Sequence, residues 1–280
     1  MVAKDSLGII FHFENYRKIS PIPKIYLKSY TRELNMNHTS DKTPLALGVI
    51  PARGGSKRLP RKNINKLKGH PLIAYTIMAA KKSKRLTHFL VSSEDSEIIE
   101  VAKKYDAPVP FIRPSELATD KVRNIDVVFH ALQFMEKKYN IIYDIIILLQ
   151  PTSPIRDSKH IDIAIDLLWK SDCVSLASVK GPFKKRDPIL KAIRNDTLED
   201  YKPILQNESW EPFYLYNASI YAVKRDYFIA HKKLISERQV PLIMDQFHSV
   251  DIDTESDFLT AEAYMNFLRK DKKHDQDSTD

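Results

Sequence analysis

From Leu45 onward, short apolar runs alternate with segments whose apolar residues recur at helical spacing. The runs have the length of β-strands and are bounded by polar or proline-containing turns. The predicted strands cover residues 45–51, 88–92, 108–112, 142–149 and 173–179. The predicted helices cover residues 71–84, 95–105, 124–138 and 158–169. In the second helix, Ile98, Ile99 and Ala102 lie at helical spacing, and Asp95 is placed to cap the N-terminus.

Strands that alternate with helices of this length predict βαβ units, and therefore an α/β fold on a doubly wound, mostly parallel sheet. The segment IIYDIIILL, which ends at Leu149, is almost continuous in Ile and Leu. Such a run is typical of a strand that is buried on both faces of a parallel sheet. We therefore expect a three-layer domain over residues 44–270.

Three segments depart from this rhythm. Residues 1–43 lack a sustained period, and we interpret them as a poorly ordered or loosely docked extension, or as the product of a misassigned start codon. Residues 180–216 are rich in Pro, Lys and aromatic residues and predict a hairpin, a lid or a dimerisation arm. A strand from Ala218, a short strand over VDIDT and a helix over 255–268 follow. The polar tail 271–280 is expected to be disordered.

The sequence LGVIPARGGSKRLPRKNINKLKGHPL predicts a phosphate-binding loop between the first strand and the first helix. Gly54 and Gly55 permit a tight turn and a close approach of the backbone to a ligand, and Pro71 suits the first turn of a helix. Six cations accompany them: Arg53, Lys57, Arg58, Arg61, Lys62 and Lys66. Backbone amides and cations of this kind hold polyphosphates, although a solvated basic loop has the same composition. The motifs GxxxxGK[ST] and GxGxxG are both absent.

The segment VDIDT carries a candidate magnesium site. On a strand, Asp251 and Asp253 would face the same side, and two adjacent carboxylates repel each other unless a cation lies between them. Proteins bind magnesium through one or two carboxylates together with substrate phosphate oxygens. The alternative is a pair of solvated aspartates on an edge strand, one of them capping the last helix.

Further candidates follow the predicted strands, where ligands of open α/β sheets bind. Gln150 lies at the exit of the buried strand and offers both a donor and an acceptor, so we expect it to contact a ligand. Arg113 follows another predicted strand and could reach the same ligand. Thr119 and Asp120 could contact the edge of a base.

Composition limits the classes of binding partner but does not identify one. The 280 residues carry 44 Lys and Arg against 36 Asp and Glu, which gives a net charge of +8 and favours an anionic partner. We expect no membrane partner, because no stretch of 18 apolar residues occurs, and no nucleic acid, because basic and aromatic residues are not interleaved. The single cysteine, Cys173, lies in an apolar run and is expected to be buried. A chain with one cysteine and no signal-peptide pattern is expected to be cytoplasmic.

Six segments occur in the order found in acylneuraminate cytidylyltransferases, which make CMP-activated nine-carbon sialic acids. They include IPARGGSK, VSSED, ELATD and LLQPTSP, and the resemblance covers about residues 45–268. It implies a nucleotide-diphosphosugar transferase fold and a magnesium-dependent reaction of CTP with a sugar acid that yields a CMP-sugar and pyrophosphate. It also implies a homodimer in which the arm over 180–216 reaches the partner subunit's site.

Carried over by position, the resemblance assigns a role to each candidate. The residues at CTP are Ala52, Arg53, Gly54, Ser56, Lys57, Lys62, Asn63, Arg113 and Thr119, the last two beside cytosine. The residues at the sugar are Gln150, Lys191, Asn217 and Tyr221, with Lys191 at the carboxylate. Asp251 and Asp253 would hold magnesium. Arg53 and Lys62 would stabilise the leaving pyrophosphate, and the proton of the attacking hydroxyl would pass to Asp251 or to a water on the metal.

Some positions depart from the family pattern. Arg58 stands where many members have glycine, Ala218 replaces the usual glycine after Asn217, and a family arginine expected at the sugar carboxylate has no match. The sugar is therefore open between sialic, legionaminic and pseudaminic acids, with ELATD favouring the first two. The loop differs from the form typical of 3-deoxy-manno-octulosonate enzymes.

Two alternative functions stay open. The first is a nucleotidyltransferase for a sugar phosphate or polyol phosphate, for which Lys184, Lys185 and Arg186 would supply cations. The second is a catalytically silent nucleotide-binding protein, which predicts a damaged metal or phosphate site. The sequence retains the charged residues of both sites.

Overall fold

The structure is a computed structural model that describes residues 42–183, 191–200 and 213–277. The predicted N-terminal extension lies outside this part of the chain except for its last two residues. Residues 184–190 and 201–212 of the predicted arm also lie outside it, as does the end of the tail.

The described residues form ten strands and six α-helices. The strands are β1 (Ala46–Pro51), β2 (Lys66–Leu67), β3 (His70–Pro71), β4 (His88–Ser92), β5 (Ile145–Leu149), β6 (Ser175–Phe183), β7 (Lys191–Arg194), β8 (Thr197–Asp200), β9 (Phe213–Lys224) and β10 (Val240–Met244). The helices are α1 (Leu72–Lys82), α2 (Ser96–Lys104), α3 (Asn124–Tyr139), α4 (Ser158–Lys170), α5 (Arg225–His231) and α6 (Glu255–Asp277). Within the described ranges, no helix is both long enough and apolar enough to cross a bilayer.

The central sheet has the strand order β10-β6-β9-β5-β1-β4. Strands β4, β1 and β5 are parallel to one another, and β6 is parallel to β10. Strand β9 runs antiparallel to both of its neighbours, β5 and β6. The predicted α/β fold with a mostly parallel sheet is therefore confirmed, with β9 as an antiparallel member.

The side chains of β5 separate the two helical layers. Ile145, Ile147 and Leu149 pack with residues of α1, α2 and α4 on one face of the sheet. Ile146 and Leu148 pack with residues of α3 and α5 on the other face. All five side chains are buried, which explains why this strand is apolar at every position.

The strand predicted over residues 108–112 is wrong. Pro108 and Pro110 have no N–H groups to donate, so the segment cannot form a regular ladder. It runs beside β4 and accepts a hydrogen bond from the Val91 amide at the Pro108 carbonyl (2.9 Å). At its end the Arg113 amide donates to the Ser93 carbonyl (2.9 Å).

The strand predicted over VDIDT is also wrong. The amides of Asp253 and Thr254 donate to Oδ2 of Asp257, at 3.0 and 2.8 Å. The Asp257 carboxylate therefore caps the start of α6, and the two amides are not available to a neighbouring strand. The Ile252 amide donates to the Thr152 carbonyl (2.8 Å), which attaches the segment to the loop after β5.

The irregular segment over 180–216 contains a hairpin where the structure describes it. Strands β7 and β8 pair antiparallel, and β7 also pairs antiparallel with the start of β9. Helix α6 extends past its predicted end to Asp277, so most of the tail 271–280 is helical, contrary to the predicted disorder. Its Lys, Arg and Gln residues are good helix formers, and it contains no Gly or Pro.

Strand β9 is irregular beside β6. The register shifts between the pairs Ala177–Tyr221 and Val179–Tyr216. Ala218 lies within this irregularity with φ of 57°. A left-handed backbone costs a residue with a Cβ atom about 1–2 kcal/mol. A glycine at this position would avoid that cost.

Candidate active site

The loops that carry the predicted site residues meet at one edge of the sheet. Strands β1, β4 and β5 are parallel, so the residues after Pro51, Ser92 and Leu149 lie at the same edge. Strand β10, which is parallel to β6, ends at Met244 and leads into the segment with the two aspartates.

Gly54 is packed against the turn that follows β4. Its amide donates to Oε1 of Glu94 at 2.8 Å. A Cβ atom on Gly54 would lie 2.3 Å from Oδ2 of Asp95, whereas one on Gly55 would meet nothing within 4 Å. Asn63, which is buried, donates from its side-chain amide to the Arg53 carbonyl at 3.1 Å. Glycine is therefore required at position 54 by close packing.

Asp95 joins the phosphate loop to helix α2. Its Oδ1 accepts from the Ile98 amide at 3.0 Å, which confirms the predicted N-cap. Its Oδ2 accepts from Nη1 of Arg61 at 2.6 Å. Burial by itself would raise the pKa of Asp95, but the hydrogen bonds from Arg61 and Ile98 outweigh it and lower that pKa.

Two cations of the phosphate loop share one carboxylate. Nη1 of Arg53 lies 2.7 Å from Oδ1 of Asp120, and Nζ of Lys57 lies 2.5 Å from Oδ2. The hydrogen bond from Lys57 is the largest cause that lowers the pKa of Asp120. The neighbouring Thr119 is exposed. Asp120 therefore pairs with two cations of the phosphate loop, and its predicted contact with a base stays a prediction.

Two other cations converge on Asp253. Nζ of Lys62 lies 2.9 Å from Oδ1 of Asp253 and donates to the Ile252 carbonyl at 2.9 Å. Nη1 of Arg58 lies 3.1 Å from Oδ2 of Asp253. The Lys62 side chain is 14% exposed, and that of Asp253 is 48% exposed. The phosphate loop and the predicted magnesium site are therefore in direct contact.

Asp251 is half-buried, and one of its carboxylate oxygens has no hydrogen-bond partner. Burial raises its pKa, a hydrogen bond from Thr152 opposes the shift, and the charge of Asp253 adds to it. Its Oδ1 atom is buried and has no hydrogen-bond partner. Such an oxygen costs free energy unless a ligand or ion satisfies it.

The two aspartates fit a magnesium ion. Magnesium takes oxygen ligands, and one or two carboxylates plus substrate phosphates are its usual protein donors. The unpartnered oxygen of Asp251 and the exposed carboxylate of Asp253 supply such donors. The described residues contain no cluster of three or more His, Cys, Asp or Glu side chains arranged for a metal. An ion here would therefore complete its shell with phosphate oxygens and water.

Arg113 is held at the end of β4. It is 4% exposed, and its Nε donates to Oγ of Ser92 at 3.0 Å while Nη2 donates to the Ser92 carbonyl. Its Nη1 lies 3.7 Å from Oε2 of Glu94, which is too long for a hydrogen bond. Burial lowers the pKa of Arg113, and the charge of Glu94 partly opposes that shift.

The predicted sugar residues differ in their surroundings. Gln150 is half-buried, and Tyr221 packs beside Tyr216 with ring centroids 6.1 Å apart. Burial raises the pKa of Tyr221 to about 12, with smaller contributions from Tyr216 and Asp251. Lys191 lies over the Tyr216 ring, with Nζ 5.6 Å from the centroid. Lys191 and Tyr216 line a cavity of about 1150 Å³ whose described lining includes no residue of the phosphate loop.

The Asn217 amide makes hydrogen bonds within the protein. Its Oδ1 accepts from Oγ of Ser178 at 2.5 Å and from the Ser219 amide at 3.2 Å. Its Nδ2 donates to Oγ of Ser249 at 2.9 Å, and the side chain is 2% exposed. These bonds support the irregular part of β9 and connect it to the segment before the aspartates.

The sequence reasoning missed three residues of this region. Glu94 and Asp95 are adjacent acidic residues that follow β4 in the motif VSSED. Two acidic residues at the end of a strand could have been predicted to contact the basic loop that follows β1. Arg156 is 2% exposed and donates to the Ser219 carbonyl (2.8 Å) and to Oγ1 of Thr76 (2.7 Å). A buried arginine bonded to these groups has no local sequence signature.

Comparisons with known proteins identify the family of the chain. The family model described as Cytidylyltransferase matches residues 47–274. A protein of Legionella pneumophila named CMP-N,N'-diacetyllegionaminic acid synthase is 37% identical over 225 residues, which is 78% of this chain and 95% of the relative. An N-acylneuraminate cytidylyltransferase of Escherichia coli is 35% identical over 219 residues, which is 76% of this chain and 50% of the relative.

A solved structure supports the fold. The structure of CMP:2-keto-3-deoxy-manno-octonic acid synthetase complexed with CTP covers 80% of this chain and 99% of its own, with a TM-score of 0.63 and 16% identity. At that identity the likeness shows the fold alone. The family match and the two relatives together show that the chain belongs to the cytidylyltransferase family, in the group that contains the sialic-acid-type CMP-sugar synthases.

Proposed function

We propose that the chain transfers CMP from CTP to a nine-carbon, sialic-acid-type sugar acid and releases pyrophosphate, with magnesium as cofactor. One observation carries the proposal. Lys62 of the phosphate loop contacts Asp253, 191 positions further along the chain, beside an Asp251 oxygen that lacks a partner. Triphosphate-binding cations and metal-binding carboxylates meet in this way where a phosphoryl group is transferred.

Different side chains carry out different parts of this transfer. The anomeric hydroxyl oxygen of the sugar attacks the α-phosphorus, and the bond from that phosphorus to the pyrophosphate oxygen breaks. Arg53 and Lys62 stabilise the negative charge that collects on the leaving pyrophosphate. Asp251, whose Oδ1 has no hydrogen-bond partner within the protein, accepts the proton of the hydroxyl.

Magnesium would be held by Asp251 and Asp253. When bound, it would neutralise phosphate charge that the cations of the loop do not reach. Lys62 and Arg58 form ion pairs with the two carboxylate oxygens of Asp253. We propose that CTP takes these cations for its phosphates and leaves Asp253 to the metal.

The proposed sugar is N,N'-diacetyllegionaminic acid or a close relative of sialic acid. The 37% identity to the Legionella pneumophila protein over 95% of its length supports this choice. Gln150 and Tyr221 offer neutral hydrogen-bonding groups suited to the hydroxyl and acetamido groups of such a sugar. We also propose a homodimer, in which the arm over 180–216 contacts the partner subunit.

The proposal is tested by identifying the product. The full chain is incubated with CTP and magnesium against a panel of N-acetylneuraminic, N,N'-diacetyllegionaminic and pseudaminic acids and 3-deoxy-manno-octulosonate. Mass spectrometry should detect a CMP-sugar with one of the first two acids, and its formation should be lost in Asp253→Ala. Product from 3-deoxy-manno-octulosonate alone would overturn the nine-carbon assignment. The absence of product with every sugar, from protein that binds CTP, would overturn the proposed reaction.

A further inference from the structure

We infer that Glu94 and Arg113 together read the cytosine base, with Glu94 accepting a hydrogen bond from its 4-amino group and selecting CTP over UTP. This inference rests on the proposed use of CTP and adds a residue, Glu94, that selects the base. It arises from a buried acceptor and a buried donor that lie side by side without bonding to each other.

Glu94 has one oxygen in use and one oxygen available. Oε1 accepts from the Gly54 amide at 2.8 Å, which fixes the carboxylate against the phosphate loop. Oε2 is buried and has no hydrogen-bond partner. A buried carboxylate oxygen without a donor is costly, and a ligand that donates to it would remove that cost.

Arg113 supplies the neighbouring donor. Two of its nitrogens, Nε and Nη2, are oriented by Ser92, which fixes the plane of the guanidinium group. Its third nitrogen, Nη1, lies 3.7 Å from Oε2 of Glu94. At this distance the two atoms attract each other electrostatically, but neither fills the hydrogen-bonding capacity of the other.

An acceptor beside a donor matches one pyrimidine and opposes the other. The Watson–Crick edge of cytosine presents an amino donor at position 4 next to an acceptor at position 3. Uracil presents the reverse order, a carbonyl acceptor at position 4 next to an N–H donor at position 3. The Glu94 carboxylate would therefore face a carbonyl oxygen of UTP, and Arg113 would face an N–H group.

The position of the pair suits a base whose phosphates lie in the loop. Glu94 contacts the Gly54 amide directly, and Arg113 follows the segment beside β4. Glu94 therefore joins the loop to the proposed base contact. If Glu94 only supports the loop, its replacement should weaken the binding of every ligand of the loop equally. If Glu94 contacts the base, its replacement should selectively weaken the binding of cytosine nucleotides.

The test compares nucleotide affinities without any sugar. Calorimetry on the full chain gives Kd for CTP, UTP and inorganic triphosphate, for the wild type, Glu94→Gln and a control, Glu100→Gln, an exposed glutamate on α2. The glutamine oxygen can still accept from Gly54, while its amide now donates where Oε2 accepted. We expect the CTP-to-UTP affinity ratio to fall about tenfold or more in Glu94→Gln, with triphosphate affinity unchanged and the control matching the wild type.

A wild-type measurement removes the dependence on a variant that folds. The triphosphate of the pyrimidin-2-one riboside lacks the 4-amino group but retains the acceptor at position 3. We expect it to bind the wild type about tenfold or more weakly than CTP. Equal binding of CTP and this analogue, or an equal loss of CTP, UTP and triphosphate in Glu94→Gln, would overturn the inference. Neither result depends on the sugar, so the proposed reaction is judged separately by its product.

Discussion

At the scale of single residues, Asp251 illustrates how the site gives up stability for function. A carboxylate that is half-buried, and whose pKa is raised by that desolvation, destabilises the fold when it is ionised. Its unpartnered Oδ1 adds to the cost. The residue is explained by the ion and the proton that it would receive.

Replacing Asp251 with Asn should separate activity from stability. An aspartate whose pKa is raised on folding loses stability as the pH rises from its unfolded pKa through its folded pKa, so the cost is fully present once the pH exceeds the folded pKa. We therefore expect Asp251→Asn to unfold at the same or a higher urea concentration than the wild type at pH 7. CMP-sugar formation should fall by about 10²–10⁴-fold because the proton acceptor is lost. A variant that is active, or that is unstable only at neutral pH, would contradict this account.

Ala218 predicts the opposite kind of effect, a gain in stability from a change beside the site. Its φ of 57° strains any residue with a Cβ atom, so Ala218→Gly should raise the free energy of unfolding by up to about 1 kcal/mol. The matched control is Ala222→Gly in the same strand, which should lose about 0.5–1 kcal/mol or more. Urea denaturation of both variants measures the difference. Equal losses in the two variants would show that the backbone at Ala218 is not strained.

At the scale of elements, the phosphate loop takes its shape from the turn after β4. Glu94 binds the Gly54 amide, and Asp95 binds Arg61 while it caps α2. Loop and turn are 40 positions apart at the first of these contacts. The glycine at position 54 therefore serves the contact with Asp95 and not only the approach of a ligand.

The two neighbouring glycines should respond differently to the same substitution. In Gly54→Ala the new Cβ would lie 2.3 Å from Oδ2 of Asp95, so the loop or Asp95 must move. Forcing a group into packed surroundings costs about 1–3 kcal/mol, and we expect CTP affinity to fall accordingly. Gly55→Ala has open space around the new atom and should lose less. Calorimetric Kd values for CTP decide the matter, and a loss in Gly55→Ala as large as that in Gly54→Ala would refute the packing argument.

The local pattern of apolar and polar residues correctly predicted the helices and the strand whose formation depends on nearby sequence. The buried strand ending at Leu149, the four predicted helices and the cap at Asp95 are present within a few residues of their expected limits. The errors at 108–112 and VDIDT have local causes as well, since prolines or a capping carboxylate remove the backbone donors from a ladder. The continuation of α6 to Asp277 shows that a polar tail can follow helix propensity.

Tertiary contacts could not be predicted in the same way. The sequence indicated cations and aspartates, but the pairing of Lys62 with Asp253 and of Arg53 with Asp120 depends on which strands are neighbours. Glu94 was overlooked because its partner, a backbone amide, leaves no trace in the sequence. The roles of these residues toward CTP and sugar stay predictions.

At the scale of the whole molecule, the order of the parallel strands builds the site. Loops after β1, β4 and β5 reach one edge of the sheet, and the segment after β10 joins them through the Ile252–Thr152 hydrogen bond. Because residues from the whole length of the domain meet there, the site and the fold should be lost together on unfolding.

The predicted N-terminal extension should be dispensable for this arrangement. The family match begins at residue 47. We expect a chain lacking residues 1–43 to retain its CD spectrum, its unfolding midpoint and its activity. A truncated protein that is folded but inactive would show that the extension contributes to catalysis or assembly.

The central claim is that the phosphate loop and the two aspartates form one magnesium-dependent site for nucleotidyl transfer. The most direct measurement is the rate of pyrophosphate release from CTP by the wild type and by Asp253→Ala, with sugar acid and magnesium each present or omitted. The account predicts release only from the wild type and only when CTP, magnesium and sugar are all present, with Asp253→Ala folded and inactive. Release that continues without magnesium, or near-normal release by Asp253→Ala, would contradict it.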